Sequence, residues 1–565
     1  MVIYPSPHPK IEVAQESIWT FLFQTTFDRH PSSAAAFIEA STGRSVSRGE
    51  LKQLCLSFAH GIRDYFPKVG GVPLKRGDTL MIFSPNSLSW PIMLYGSLAA
   101  GLPATLANSA YTPRELAYQW KDSNAKVALV HPLLLPVALE MFRGMNLDSK
   151  EIKRRVIIAD YGATDRAGDL AQFLHLEDLC KVGSWKEEEK FPGAQADETA
   201  LLCYSSGTTG KPKGVETMHR NMTAMMRMLE KYLPVTDTRD VCLGVLPFYH
   251  VYGAVNIMMN MFYGGVAVVV MPKFDLVEFC KYIEQYKVSM LLTVPPMILG
   301  LARHPVTAKY SFKSVRWITV SAAPLPISLL KEFQARLKSL GVSPPVVQGY
   351  GSTETSPATH VLESEFSESK AGSVGRLLPN LEARLVLEDG TDAAPGQPGE
   401  FWVRGPSIMK GYLNNPTATK NSITPDGWYK MGDLLMRDQD GFYFVMDRVK
   451  ELIKYKGFQV APAEMEDLLI QHPEIADAAV IGVYSDAEAT ELPRAYVVRP
   501  PGSKPKDPAV FEKEIQKWVE SRVAKHKFLR GGVVVVDVIP RSAAGKILRR
   551  ELRDRAKAEG LKAKL

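Results

Sequence analysis

Short, uniformly apolar runs alternate with longer amphipathic ones along the first 370 residues. DTLMIFS at Asp78–Ser84 predicts a strand, and LSWPIMLYGSLAAG predicts a helix ending on Gly101. KVALVHP, RRVIIAD, ALLCYSS, VAVVVMP, SMLLTVPP, SVRWITVSAA and PVVQGYG predict further strands, with helical patterns between many of them. This alternation predicts an α/β fold: a large N-terminal domain with parallel-type sheets. In such folds ligands gather at the carboxyl ends of strands, where the polar Gly-rich loops of this chain lie.

The texture changes from about Gly375 to Tyr443, where Gly and Pro are frequent and strands such as GEFWVRGP and GFYFVMD are short. A small β-rich subdomain is expected there. After Asp447 it changes again. APAEMEDLLIQ and PAVFEKEIQKWVESRVA predict helices; AAVIGVY, AYVVRP and VVVVDVIP predict strands. This segment is long enough for a separate α+β domain.

Composition narrows the class. The 565 residues are 45% apolar and 23% charged, which excludes disordered, collagenous and disulfide-scaffold proteins. The five cysteines are widely spaced without a CxxC pair, so neither a disulfide framework nor a zinc site is indicated. The net charge of +7 is concentrated at one end: 17 Lys/Arg stand against 8 Asp/Glu from Pro501 to Leu565. A basic end suits nucleic acid, but a polyphosphate needs fewer charges, and no nucleic-acid partner is expected. Val241–Pro272 carries no Lys, Arg, Asp or Glu. Pro247, Asn256, Asn260 and Gly264-Gly265 interrupt it, so the reading is helix, turn and buried strand, with no transmembrane segment.

CYSSGTTGKPKGVETMHRN, Cys203–Asn221, is the richest in chemistry. Its glycines let backbone N–H groups converge on a ligand, hydroxyls add donors and lysines add charge, as a polyphosphate requires. A P-loop needs Gly where Ser205 stands and Ser/Thr where Pro212 stands, so this is a different device. The plainer alternative is a flexible surface loop.

SSGTTGKPKG is similar to the signature loop of the adenylate-forming enzymes, the family of acyl-CoA synthetases, beetle luciferases and peptide-synthetase adenylation domains. Four more motifs resemble the family's in order and spacing: YGSTE (Tyr350–Glu354), GWYKMGDL (Gly427–Leu434), DRVKELIKYKGFQVAPAEME (Asp447–Glu466) and PRSAAGKILRREL (Pro540–Leu552). The KYKGFQVAPAE string most resembles 4-coumarate–CoA ligases. The first 200 residues match in texture only. The resemblance implies a large adenylation domain over 1–447, a hinge at 448–450 centred on Lys450, and a smaller mobile domain over 451–565.

The implied substrates and cofactor are ATP, coenzyme A and Mg2+, and the implied reaction passes through acyl-AMP. The resemblance assigns Ser205, Ser206, Gly207, Thr208, Thr209 and Lys213 to the phosphates and Glu354 to magnesium. It gives Tyr350 to adenine stacking, Ala323, Gln348, Gly349 and Thr353 to the nucleotide, and Asp433 with Arg448 to the ribose. Lys546 would catalyse adenylation. Lys454 and Gln459 would settle acyl-AMP and thiol, while Lys273, Lys456 and Gly457 would meet coenzyme A. Two positions depart from the family pattern: Met431, commonly Thr, and Ser352, often a larger apolar residue.

The acid pocket is expected near LPFYHVYGAVN, VSAAPLP and YGSTETSPA, from His250, Tyr252, Asn256, Ala322, Gly351, Pro357 and Ala358. His250 is either a carboxylate bracket or a satisfied core histidine. FYHVYG lacks the acid with which amino-acid enzymes of the family pair an ammonium, and Gly351 stands where acetate enzymes have Trp. An aryl, arylalkyl or medium-chain acid is expected. Ala563-Lys564-Leu565 is a variant of the S-K-L peroxisomal address, read by the import receptor. A luciferase-like oxygenase and a fatty-acid–CoA ligase stand as alternatives.

Overall fold

The structure is a computed structural model of the chain. It describes all residues except 163–165, 206–210, 233–238, 450, 457, 486–487, 489, 501, 504–505, 543–544 and 563–565, and excludes the side chains of 459 and 560–562. Ser206, Gly207, Thr208, Thr209, Lys450, Gly457, the Gln459 side chain and the Ala563-Lys564-Leu565 tail therefore lie outside the described residues.

Two large sheets form the N-terminal part. The eight-stranded sheet has a parallel interior: Thr199–Ser205, Ala104–Ala107, Leu80–Phe83, Val127–Val130, Val156–Ile158 and Leu174–His175. Lys213–Met218 and Gly411–Tyr412 extend it antiparallel. The nine-stranded sheet runs parallel from Val346–Gly351 through Trp317–Val320, Met290–Thr293, Val241–Gly244 and Ala267–Val270 to Ala35–Glu39. Antiparallel strands close both its edges. Interior strands such as LMIF, VALV, AVVV and MLLT are buried at every position. Helices cover parallel sheets on both faces, so such strands carry continuous apolar runs.

The helix Ser89–Ala99 is buried along its whole length, and Tyr252–Asn260, a π-helical segment, nearly so. Both belong to one apolar core that also takes in residues of both large sheets. A helix apolar all round is a core helix. The charge-free Val241–Pro272 stretch accordingly splits into strand, helix and strand; its first strand, Val241–Gly244, was not foreseen. Among the described residues no helix is long and apolar enough to cross a membrane, and all five cysteines are free.

The β-rich subdomain is a five-stranded antiparallel sheet of Glu382–Val386, Gly399–Arg404, Tyr429–Arg437 and Tyr443–Arg448, with the N-terminal Tyr4–Pro5 on its edge. Burial alternates along GEFWVR, as it does for a sheet with one packed face. Beyond it, Asp477–Ser485 and Thr490–Val498 pair antiparallel and Val533–Val535 adds parallel. Ala478 and Val480 face one small core, Ala479 and Ile481 the other. Helices Pro462–Ile470 and Pro508–Glu520 cover the first face, Arg549–Lys562 the second. The VVVVDVIP strand is shorter than expected, ending at Val535.

Candidate functional site

Ser205 ends one strand and Lys213 begins the next, paired with it in antiparallel register. The phosphate-type loop therefore joins two strands, whereas a P-loop leads from strand to helix. Glu354 sits in the turn Thr353–Thr355 that follows Val346–Gly351, and is 7% exposed. Its Oε1 accepts from the Ser205 hydroxyl (2.9 Å) and the Tyr412 hydroxyl (3.0 Å). The Lys213 ammonium lies 4.0 Å from the centre of the Tyr412 ring. Phosphate loop and acidic turn are thus one constellation. Among the described residues no cluster of three or more metal-ligating side chains occurs. If the Ser205–Lys213 loop takes phosphates, a single carboxylate beside it would suit magnesium, which is held by one or two carboxylates together with substrate phosphates.

Asp433 stands opposite Arg448 on neighbouring strands of the β-rich sheet. Arg448 Nε is 3.4 Å from Oδ1, and the Tyr350 hydroxyl donates to Oδ2 at 2.6 Å. Burial raises the Asp433 carboxyl above its ordinary range, against the opposing pull of Arg448 and Tyr350. Tyr350 reaches Asp433 from the end of Val346–Gly351, while its ring packs beside His360 and Phe401. The ring expected to stack on adenine is therefore also a core contact. Gln348 donates to Ser373 O (3.4 Å), and Gly349 O accepts from Ser321 (2.7 Å). Ala322, next to the half-buried Ala323, holds φ +72°, unusual for a residue with a Cβ.

Lys546 comes to this group from the C-terminal part. Its loop is closed by Ser542 N donating to Lys546 O (2.8 Å) and by the Ser542 hydroxyl accepting from Lys546 N (3.2 Å). Gly545 has φ +80°, and a Cβ there would stand 3.2 Å from the Pro296 ring, so the loop lies directly on the large domain. Burial, and next Arg448, push the Lys546 ammonium down to about 8; Asp433, Glu354 and Glu451 act in the opposite sense. His250 is pushed down to about 4 by burial and then by Lys546. It is neutral near pH 7, and its Nδ1 accepts from Tyr252 N at 3.3 Å. The proton then sits on Nε2, leaving a donor.

Tyr252 and Asn256 lie one turn apart on Tyr252–Asn260, and the Tyr252 hydroxyl and Asn256 Oδ1 are buried without a protein partner. Gly351 has a reason other than pocket width. A Cβ there would meet Pro357 O at 1.9 Å, so close backbone approach to the Pro357–Ala358 segment requires glycine. The two departures from the family pattern touch: the Ser352 hydroxyl donates to Met431 Sδ at 3.7 Å. The smaller residue at 352 leaves room for the larger one at 431.

The structure does not gather every candidate. Lys454 is exposed, 3.9 Å from Glu388, and Lys456 pairs with Glu488 at 2.9 Å. Both lie on the Ile453–Tyr455/Phe458–Val460 hairpin, and neither ion pair involves a carboxylate of the Lys546 site. Lys273, also exposed, lines a cavity of about 350 Å³ with Asn86, Tyr249 and Pro296; Arg541 and Gly545 of the Lys546 loop close one side. Sequence reasoning missed Tyr412, Ser321, Glu451 and Arg549. Glu451 and Arg549 stand inside quoted motifs, but their pairing joins distant segments; Tyr412 and Ser321 likewise act through partners distant in the chain.

This arrangement is what an adenylate-forming enzyme would need, and the family match decides the class. Residues 23–413 match the AMP-binding enzyme family model, and residues 464–546 that of the AMP-binding enzyme C-terminal domain. The chain belongs to the AMP-binding enzyme family and is an acid–CoA ligase of the AMP-forming kind. It is 35% identical to peroxisomal OPC-8:0-CoA ligase 1 of Arabidopsis thaliana, over 92% of this chain and 90% of that one. It is 36% identical to 4-coumarate:CoA ligase 1 of Petunia hybrida, over 86% of each. Among solved structures, ATP-bound MatB from Rhodopseudomonas palustris superposes with TM-score 0.81 at 26% identity, over 95% of this chain and 98% of the other. The Bacillus subtilis o-succinylbenzoate CoA synthetase with its acyl-adenylate gives 0.74 at 28%, with the same coverage.

Proposed function

We propose that the chain activates an aryl, arylalkyl or medium-chain carboxylic acid through acyl-AMP and transfers the acyl group to coenzyme A. The observation that carries this reading is that the Lys546 loop lies against Pro296 of the large domain, with the ammonium within electrostatic reach of Arg448, Asp433 and Glu354. The lack of an acidic residue in FYHVYG argues against an α-amino acid.

In the first half-reaction the acid's carboxylate oxygen attacks the α-phosphorus of ATP, and the bond to the bridging oxygen breaks, releasing pyrophosphate. Two anions must approach, and the Lys546 ammonium, held in a buried site, attracts both. His250, neutral with Nε2–H, donates to the acid's carboxylate. Asp433 accepts from the ribose hydroxyls, with Arg448 opposing the upward push of burial on its carboxyl. Ser205 and Lys213, with Ser206 to Thr209, hold the β- and γ-phosphates. Glu354 would hold magnesium, which neutralises phosphate charge when bound. In the second half-reaction the thiol attacks the acyl carbon and AMP leaves. We assign Lys454, Lys456, Gly457 and Gln459 to that step, after the small domain turns about Lys450. Lys273, at the mouth of the 350 Å³ cavity, would meet coenzyme A phosphates.

The test is incubation with ATP, magnesium, coenzyme A and a pool of cinnamates, phenylacetate, benzoates and fatty acids, with products identified by mass. Acyl-CoA supports the reading and names the acid. Acyl-AMP that accumulates without acyl-CoA refutes the thiol step and favours an oxygenase-like outcome. A peroxisomal location is supported by the name of the Arabidopsis relative and by Ala563-Lys564-Leu565. A fluorescent fusion ending in these residues should enter peroxisomes, and one lacking them should not.

A further inference from the structure

Arg549 opens the last helix, three residues after Lys546. A cation at a helix N-terminus opposes the helix dipole, so something else must hold it. Its guanidinium is engaged at all three nitrogens. Nη2 meets Glu466 at 2.7 and 2.8 Å, Nε donates to Val480 O at 3.3 Å, and Nη1 meets Glu451 Oε2 at 2.9 Å. The Glu466 arm lies within the small domain, and Glu466 also accepts from Val480 N at 2.8 Å. That arm fastens the helix to its sheet, together with the packing of Leu552 and Ala556 on Ala479, Ile481 and Tyr496.

Glu451 does something different. Its second oxygen, Oε1, faces Arg448 Nη1 at 3.7 Å, and Arg448 Nε faces Asp433 at 3.4 Å. A line of opposite charges thus runs Asp433–Arg448–Glu451–Arg549, and Arg549 stands three residues along the chain from Lys546. Glu451 and Arg549 are each 11% exposed at their side chains, so water screens that pair little, while Arg448 is 35% exposed. The other flank of the lysine loop is fixed within the small domain: Arg541 bonds Gly545 O at 3.0 Å and Asp477 at 2.8 Å.

The geometry points to Glu451 and Arg549 as positioning residues that tie the ribose-binding pair Asp433–Arg448 to the loop carrying Lys546, holding the lysine where acyl-AMP forms. The inference rests on the reading that Lys546 serves the first half-reaction. In this arrangement Glu451 bridges Arg448, at the end of the β-rich sheet where the hinge begins, to Arg549 of the small domain. Its worth therefore falls on acyl-AMP formation and not on the thiol step, for which Lys546 is not required.

The test uses the full-length enzyme and the acid pool above. Acyl-AMP formation is followed in single turnovers, and thioester formation is followed from synthetic acyl-adenylates of the same acids. Glu451→Gln keeps the shape and removes the charge. A misplacement of about 1 Å costs on the order of a hundredfold. Acyl-AMP formation should fall about 10- to 100-fold, while thioester formation stays within about twofold. Arg549→Gln should lose at least as much acyl-AMP formation and, because it also unpairs Glu466, should lower the melting temperature, while Arg549→Lys should restore part of both losses. In a Lys546→Ala background, Glu451→Gln should cost nothing further, since coupled residues are non-additive. Equal loss in both half-reactions with a lowered melting temperature, or full additivity with Lys546→Ala, overturns the inference. So does unchanged acyl-AMP formation in Glu451→Gln. If Lys546→Ala itself forms acyl-AMP normally, the underlying reading fails first, and this inference with it.

Discussion

Replacing Lys546 by methionine keeps an unbranched side chain and removes the charge, and two effects of opposite sign follow. The first is catalytic. An ammonium about 4 Å from a phosphate oxygen, at an effective dielectric near 20, contributes about 4 kcal/mol. If that attraction is realised in the transition state, its loss slows acyl-AMP formation about a thousandfold. The second effect is on stability. In the unliganded protein the ammonium is held at about 8 against an ordinary 10.5, with burial the main cause. A depression of that size amounts to about 3 kcal/mol against the charged folded form at pH 7. From 10.5 down to about 8 the unfolded chain binds the proton first, so stability falls as pH falls through that window. Below it the whole penalty stands. Lys546→Met should therefore melt higher than the parent at pH 7, with the gap narrowing as pH rises above 8. The assays are single-turnover acyl-AMP formation, thioester formation from synthetic acyl-AMP, and melting curves at several pH values. Equal loss of both half-reactions, or a lower melting temperature at pH 7, would refute the reasoning.

Glu354→Gln should retain the hydroxyl contacts from Ser205 and Tyr412 but lose the charge; the magnesium concentration for half-maximal acyl-AMP formation should rise at least tenfold in a metal titration. Gly351→Ala should lower the melting temperature and slow turnover of every acid in the pool alike, because the new Cβ would stand 1.9 Å from Pro357 O. Overpacking of this kind costs about 1–3 kcal/mol, and a change confined to larger acids would instead mark Gly351 as a pocket wall. The pH profile of acyl-AMP formation should show no acid limb from His250 between pH 5 and 7, since that imidazole gains its proton only near pH 4. An alkaline limb beginning near pH 8 should mark loss of the Lys546 proton, and Lys546→Arg should move it upward.

Much of the fold was legible because its strands are buried on both faces. LMIF, VALV and MLLT are short, continuous apolar runs, the pattern of strands covered on both faces. The Tyr4–Pro5 edge strand gave no such sign, since two residues have no period and pairing with Ala383 and Glu382 is decided by the distant sheet. Local chemistry was equally legible where it is written in one loop: Ser205 and Lys213 with the intervening glycines, or Lys546 after Ala-Ala-Gly. The role of Gly351 was not. Its identity looks like an open pocket in one dimension and is a backbone collision in three.

The sequence by itself determined the α/β class, the two-part organisation and the residue types that phosphate, ribose and carboxylate chemistry need. Those features depend on short-range periodicity and on side chains in one loop. Only the tertiary structure decided which of these residues meet. It joined Glu354 to Ser205 and Tyr412, Tyr350 to Asp433, and Arg549 through Glu451 to Arg448. It also brought His250 within reach of the Lys546 charge and partly shielded both from water, lowering the proton affinity of both. Charge interactions and desolvation depend on distance in space and on the exclusion of water, and neither quantity is written along the chain.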